Sequence, residues 1–158
     1  LRVIGEQAGL PGRLVKKIDA AAELTRNNTG MNLNIALNYG ARWELVEAAK
    51  QLAQACQRGD ITPEQIDEQA LAETLTTSGQ PELDLLIRTG GESRLSNFLL
   101  WQAAYAELYF CATYWPDFDE VALDTALTWF VSRKRRFGKI DEQLTAAMPV
   151  KQSSRGAT

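Results

Sequence analysis

The run Asp84-Leu85-Leu86-Ile87-Arg88-Thr89-Gly90-Gly91-Glu92-Ser93-Arg94-Leu95-Ser96-Asn97 passes from apolar to polar within a few residues. Residues 83–87 are nearly all apolar and bounded by polar ones, the pattern of a short strand buried on both faces. Residues 88–94 form a polar loop with two glycines, and Ser96 is a suitable cap for a helix over about 97–107. A loop that leaves the carboxyl end of a strand and enters a helix is where open α/β sheets bind ligands. Free amides and the dipole at a helix start favour an anion, glycines allow close backbone approach, and Arg88 and Arg94 each offer a planar fork that matches phosphate oxygens. These residue types point to a diphosphate or a carboxylate. A plain tight turn with solvated arginines stays open.

Outward from that run, strands and helices alternate. Residues 1–5 read as a short strand, and Pro11 suits the first turn of a helix in which Leu14, Ile18, Ala21 and Ala22 recur at helical spacing. Residues 31–37 alternate apolar with polar, a strand with two unlike faces. A helix over about 42–58 carries Leu45, Ala49, Leu52, Ala53 and Cys56 as its apolar stripe and stops at Gly59. Thr62-Pro63-Glu64-Gln65 has the order of a capping box, so one further helix is predicted to run to about Leu75. After the central run come a fourth strand over 108–111, a turn at Trp115-Pro116-Asp117 and a closing helix over 119–136. The predicted class is α/β, a parallel sheet with helices on both faces, because a parallel connection must be long enough to hold a helix. The predicted organisation is one domain over 1–142 and a polar tail over 143–158.

Composition narrows the chemistry. The 158 residues are 45% hydrophobic, enough for one core, and the net charge of −3 argues against a whole-surface nucleic-acid binder. Histidine is absent, which removes histidine-based triads, histidine general bases and histidine-ligated zinc. Cys56 and Cys111 have neither metal-ligand spacing nor the density of a disulfide scaffold, which favours a reducing, cytoplasmic setting. The apolar stretch over 98–115 includes Gln102 and Glu107 and reads as protein core rather than a membrane span.

Ile87-Arg88-Thr89-Gly90-Gly91-Glu92, Arg94, Ser96-Asn97-Phe98, Trp101-Gln102 and Tyr105-Ala106-Glu107-Leu108 together resemble the signature of the cis-prenyltransferase family. Asn38-Tyr39-Gly40-Ala41-Arg42, Trp115-Pro116-Asp117-Phe118 and Arg135-Arg136-Phe137-Gly138 extend the likeness to nearly the whole chain, and the bacterial undecaprenyl diphosphate synthase type is the nearest within the family. The resemblance implies a fold of that type with the first part of its sheet missing. It also implies a transferase of the isoprenoid and cell-wall (peptidoglycan) pathways. Such an enzyme condenses isopentenyl diphosphate onto an allylic diphosphate, farnesyl diphosphate, to make undecaprenyl diphosphate. Carried over residue by residue, it places the diphosphate of isopentenyl diphosphate on Arg88, Arg94 and Ser96, a Mg2+ ligand on Glu107 and a catalytic carboxylate on Asp84. It further implies a homodimer in which Arg136 and Gly138 reach the partner's site, and a cytoplasmic enzyme open to peripheral contact with the membrane that takes its product.

On residue types alone, Arg133, Lys134, Arg135, Arg136 and Lys139 read as a solvated, dipole-favoured helix end, and Trp43, Phe98, Trp101, Tyr105 and Trp129 as core or dimer packing. One face of Met31, Leu33, Ile35 and Leu37 meets the growing product if the family's apolar tunnel is present. Glu107 raises a difficulty, since eleven residues of continuous helix beyond Ser96 rise about 16 Å. Either the helix breaks, or Glu107 acts elsewhere, or it is a structural acid. The family's aspartate-bearing phosphate loop is not among these residues, and Ser93, Ala41 and Lys139 depart from its pattern. The chain therefore reads as a piece of something longer and is expected to be inactive alone. The rivals are a non-catalytic partner subunit of such an enzyme and an unrelated nucleotide-binding α/β domain.

Overall fold

A computed structural model describes residues 1–133; Arg136 and Gly138 lie outside the described residues. The elements are β1 (Arg2–Ile4), α1 (Gly12–Thr25), β2 (Asn34–Ala36), α2 (Ala41–Arg58), α3 (Glu68–Thr74), β3 (Leu85–Arg88), β4 (Glu107–Phe110) and α4 (Glu120–Ser132). Single 3-10 turns lie at Pro63–Gln65, Gln102–Tyr105 and Trp115–Asp117. The α/β class holds, and both strand pairs are parallel: β1 with β2 in the register Arg2↔Asn34 and Ile4↔Ala36, and β3 with β4 in the register Leu85↔Glu107 and Arg88↔Phe110. Among the described residues the strands join as two separate pairs rather than one four-stranded ladder.

Local chemistry explains where the elements start and stop. The capping box forms, with the Thr62 amide donating to Gln65 Oε1 at 2.7 Å, yet it opens only the turn Pro63–Gln65. Asp67 then takes an extended conformation and accepts from the Ala70 amide at 2.8 Å, so a second cap restarts the chain as α3. The single helix expected there is split because aspartate competes for the backbone donors. The strand expected over 31–37 shortens to Asn34–Ala36, matched to the three residues of β1 that pair with it.

The helix expected over 97–107 does not form. Ser96, Asn97 and Leu99 have φ of 50°, 62° and 46°, and left-handed residues do not propagate a right-handed helix. The chain instead makes the turn Gln102–Tyr105 and enters β4 at Glu107. Of the alternatives left open for Glu107, the interrupted helix is the one observed. At the end of the described residues, Asp119 caps α4 through the Ala122 amide at 2.9 Å. Arg133 leaves that helix in an extended conformation, three residues before the expected end at Arg136.

The contacts divide the chain into two compact units. The first is Leu1–Asp84 with Ser93–Ala106; the second is Leu85–Glu92 with the described residues from Glu107 onward. In the first unit α1 packs on β1 and α3 on α2. The buried line of α2 is Ala41, Glu44, Ala48 and Leu52, turned from the predicted stripe, so that Ala49 and Ala53 line an apolar cavity of about 500 Å³ with Ile66, Leu71 and Trp101. In the second unit α4 packs on β4, with Tyr109 and Trp129 rings 5.2 Å apart.

Gly5 marks the tightest backbone approach, where the chain leaves β1 at φ 121° and a Cβ would overlap the carbonyl oxygen of Leu37. Both flanking links, Leu37 N–H to the Ile4 carbonyl at 2.9 Å and Glu6 N–H to the Asn38 carbonyl at 3.1 Å, hold that approach closed. Gly5→Ala is expected to destabilise the fold by at least about 2 kcal/mol in denaturant unfolding. Ala at Gly9, where no atom lies near an added Cβ, is expected to cost less.

Candidate functional site

In the second unit, Arg88 is the last residue of β3, and its carbonyl accepts from the Cys111 amide at 3.0 Å. The glycines that follow do not offer free amides. Gly90 N–H donates to the Thr113 carbonyl at 2.8 Å and Gly91 N–H to the Cys111 carbonyl at 2.9 Å, so the loop after β3 is laced to the loop after β4. Glu107 stands at the other end of the same ladder, opposite Leu85 rather than beside Arg88. The three residues between those registers span roughly 10 Å of strand. Its carboxylate meets Arg133 Nε at 3.3 Å, and Arg133 lies over the Trp129 ring at 5.2 Å.

In the first unit, Asp84 is the exposed residue just ahead of β3, and Arg94 and Ser96 are exposed on the segment that rejoins this unit. Since no helix begins at Ser96, the expected dipole contribution to anion binding is absent. A different constraint shapes the segment. The carbonyl of Asn97 accepts from the Ala41 amide at 2.9 Å, and its Oδ1 accepts from the Arg42 amide at 2.9 Å. Phe98 meets Tyr39 edge to face at 5.6 Å. Two stretches singled out in the sequence, 38–42 and 96–98, are thereby one structure.

Sequence reading missed the polar hub beneath them. Glu44 is only 2% exposed. Its Oε1 accepts from the Thr76 amide at 2.9 Å and from the Thr76 hydroxyl, and its Oε2 accepts from Tyr39 OH at 2.5 Å and Gln102 Nε2 at 3.1 Å. Gln102 Nε2 also reaches Thr77 Oγ1 at 3.0 Å, while Gln102 Oε1 is buried without a partner among the described residues. The available signal was periodicity: Glu44 falls in helical phase with Ala41, Ala48 and Leu52, where an acid is out of place unless donors surround it.

Among the described residues no group of three or more acids, cysteines or histidines could hold a metal ion. A single carboxylate already engaged by an arginine is not a magnesium cage, which takes several oxygens in octahedral array. No helix among them is long and apolar enough to cross a membrane.

With this geometry in hand, comparison with known proteins gives concordant results. A family model described as putative undecaprenyl diphosphate synthase matches residues 1–138. The ditrans,polycis-undecaprenyl-diphosphate synthase of Vibrio parahaemolyticus, named as specific for (2E,6E)-farnesyl diphosphate, is 55% identical over 148 residues, which is 94% of this chain and 59% of that protein. The Escherichia coli protein of the same name is 51% identical over 138 residues, 87% of this chain and 54% of its own length. The chain thus spans little more than half of the curated relatives it matches. Among solved structures, lavandulyl diphosphate synthase from Lavandula x intermedia, in complex with dimethylallyl diphosphate, superposes with a TM-score of 0.84 at 41% identity, covering 87% of this chain and 59% of that one. A probable undecaprenyl diphosphate synthase from Campylobacter jejuni gives a TM-score of 0.73 at 35% identity, covering 87% and 62%.

The buried hub gives the first unit a pH dependence. Burial of Glu44 acts to raise its pKa, but hydrogen bonds from the Thr76 hydroxyl, Tyr39, Gln102 and the Thr76 amide outweigh it, so the value is lowered. Burial, then the hydrogen bond and charge of Glu44, pushes the Tyr39 phenol up. A carboxyl whose folded pKa is depressed contributes stability that is present above its unfolded value of about 4.3 and is lost as pH falls through the folded value. Glu44→Gln is expected to cost about 2 kcal/mol at neutral pH. It is also expected to remove this part of the loss of stability on acidification, measured by denaturant unfolding across that range.

Proposed function

The chain belongs to the undecaprenyl diphosphate synthase family, and on that premise we propose that it supplies the isopentenyl diphosphate half of a cis-prenyl chain-elongation site. The observation that carries this is the run from Ile87 to Asn97, with Arg88, Arg94 and Ser96 all present in a chain the family model matches over 1–138. Two guanidinium groups supply paired donors to phosphate oxygens and the serine hydroxyl adds a third kind of donor, so the diphosphate is held by side chains. Their charge offsets that of the headgroup, and planar forks fix its orientation. The isopentenyl double bond is thereby aimed by its own anchor, which is the positioning contribution that makes an addition effectively intramolecular.

The reaction follows from the chemistry of the two substrates. The allylic C1–O bond breaks and diphosphate leaves with the electron pair, a new carbon–carbon bond forms from the isopentenyl double bond, and a proton is lost to give a cis double bond. The curated relatives are named for farnesyl diphosphate and for an undecaprenyl product, and we take the same allylic starter and product for the whole protein. Magnesium as cofactor and Glu107 as its ligand stay part of the proposal. They require Glu107 to exchange Arg133 for the metal and further ligands from outside the described residues, and no step is routed through the ion. A homodimer completed by Arg136 and Gly138 is likewise proposed from the family motif, as is Asp84 in catalysis. The rival reading, a non-catalytic partner subunit, is disfavoured because such a subunit has no need of all three grip residues.

Titration calorimetry with isopentenyl diphosphate tests the reading. Each of Arg88→Ala and Arg94→Ala is expected to weaken binding about ten- to a hundredfold, the worth of a charge-assisted hydrogen-bonded pair. Equal heats for the parent and for the double substitution would falsify the assignment.

A further inference from the structure

We propose that Asn97 is a positioning residue for the diphosphate grip, fixing the Ser96 hydroxyl by fastening the segment to the start of α2; the inference rests on the reading of Ser96 given above. Gly40, at the cap position just before α2, is extended at φ −147° and has no side chain to cap the helix. The first free amides of a helix need acceptors. Both are met from far along the chain: the Ala41 amide by the Asn97 carbonyl and the Arg42 amide by Asn97 Oδ1, each at 2.9 Å. One residue thus acts as a cap in trans, and the helix in return fixes both the backbone and the side chain of that residue.

The fastening is close as well as bidentate. A Cβ built on Gly40 would lie 2.8 Å from Asn97 Nδ2, so a larger residue at position 40 would displace the Asn97 side chain that caps α2. Asn97 and its neighbour Ser96 both have positive φ, 62° and 50°. Such conformations cost of order 1 kcal/mol or more for a non-glycine residue unless the surroundings hold them. Asparagine tolerates the left-handed region well among the non-glycine residues, and here its side chain accepts from the Arg42 amide. Ser96, left-handed as well, is joined directly to that fastened residue, so its backbone is constrained from this side. A hydroxyl that must meet a phosphate oxygen loses much of its worth if its backbone relaxes to an ordinary conformation.

The experiment is a double-substitution cycle read by calorimetry with isopentenyl diphosphate on the 158-residue chain. Asn97→Gly keeps the positive φ and removes Oδ1, and Ser96→Gly removes the hydroxyl without steric strain. Asn97→Gly is expected to weaken binding about tenfold in the parent and less than about twofold in Ser96→Gly, because the two changes then remove one and the same interaction. Gly40→Ala is expected to weaken binding in the parent and to have no further effect in Asn97→Gly, where the atom it would strike is gone. Equal losses from Asn97→Gly in both Ser96 backgrounds would mean a merely structural role and overturn the inference while leaving the diphosphate reading intact. Absence of any binding by the parent would overturn both.

Discussion

A carboxylate withdrawn from water has to be met by donors, and Glu44 is met by four, from Thr76 twice, Tyr39 and Gln102. Those donors come from the turn before α2, from the loop after α3 and from the segment beyond Ser96, so a single side chain of α2 ties three stretches of the first unit together. The apolar core around it is thin and made largely of small residues such as Ala41, Ala48 and Ala103. Removing one partner of a buried charged group costs more than an ordinary hydrogen bond is worth, since the remaining group stays unsatisfied. The hub is therefore an all-or-none fastening, which is how a polar network specifies one arrangement of loops that lack regular structure.

On this fastening rests the second one, Asn97 on the amides of Ala41 and Arg42. Together they hold a segment with three left-handed residues, Ser96, Asn97 and Leu99, in place of the helix its residue types would otherwise allow. The second unit meets the same need differently, by spending the Gly90 and Gly91 amides on the loop after β4. The two glycine amides of the loop after β3 are therefore consumed by structure.

Much of the fold was legible. Parallel pairing followed from alternating strands and helices, β3 from the apolar run before Arg88, and the cap of the turn at Pro63 from residue type. The helix over 97–107 was misread because Ser96 has the side chain of a cap while its backbone, held by its neighbour's long-range bonds, cannot start a helix. The split at Asp67 was misread because two adjacent caps compete and the later one wins. The stripe of α2 was rotated because a binary pattern counts glutamate as solvent-facing. For the candidate site, the residue types suggested an anion and the family likeness suggested which one, but neither pointed to Asn97 or Glu44. Their roles depend on partners 55 and 32 residues distant, beyond the reach of any local pattern.

Hydrogen–deuterium exchange with and without isopentenyl diphosphate tests most directly whether the segment from Arg88 to Asn97 is where the diphosphate is held. Exchange at the amides of Thr89 and of Glu92 to Ser96 should slow on ligand addition, with the Ala41 and Arg42 amides protected throughout by Asn97. Unchanged exchange along that segment at saturating ligand, or slowing confined to other parts of the chain, would contradict it.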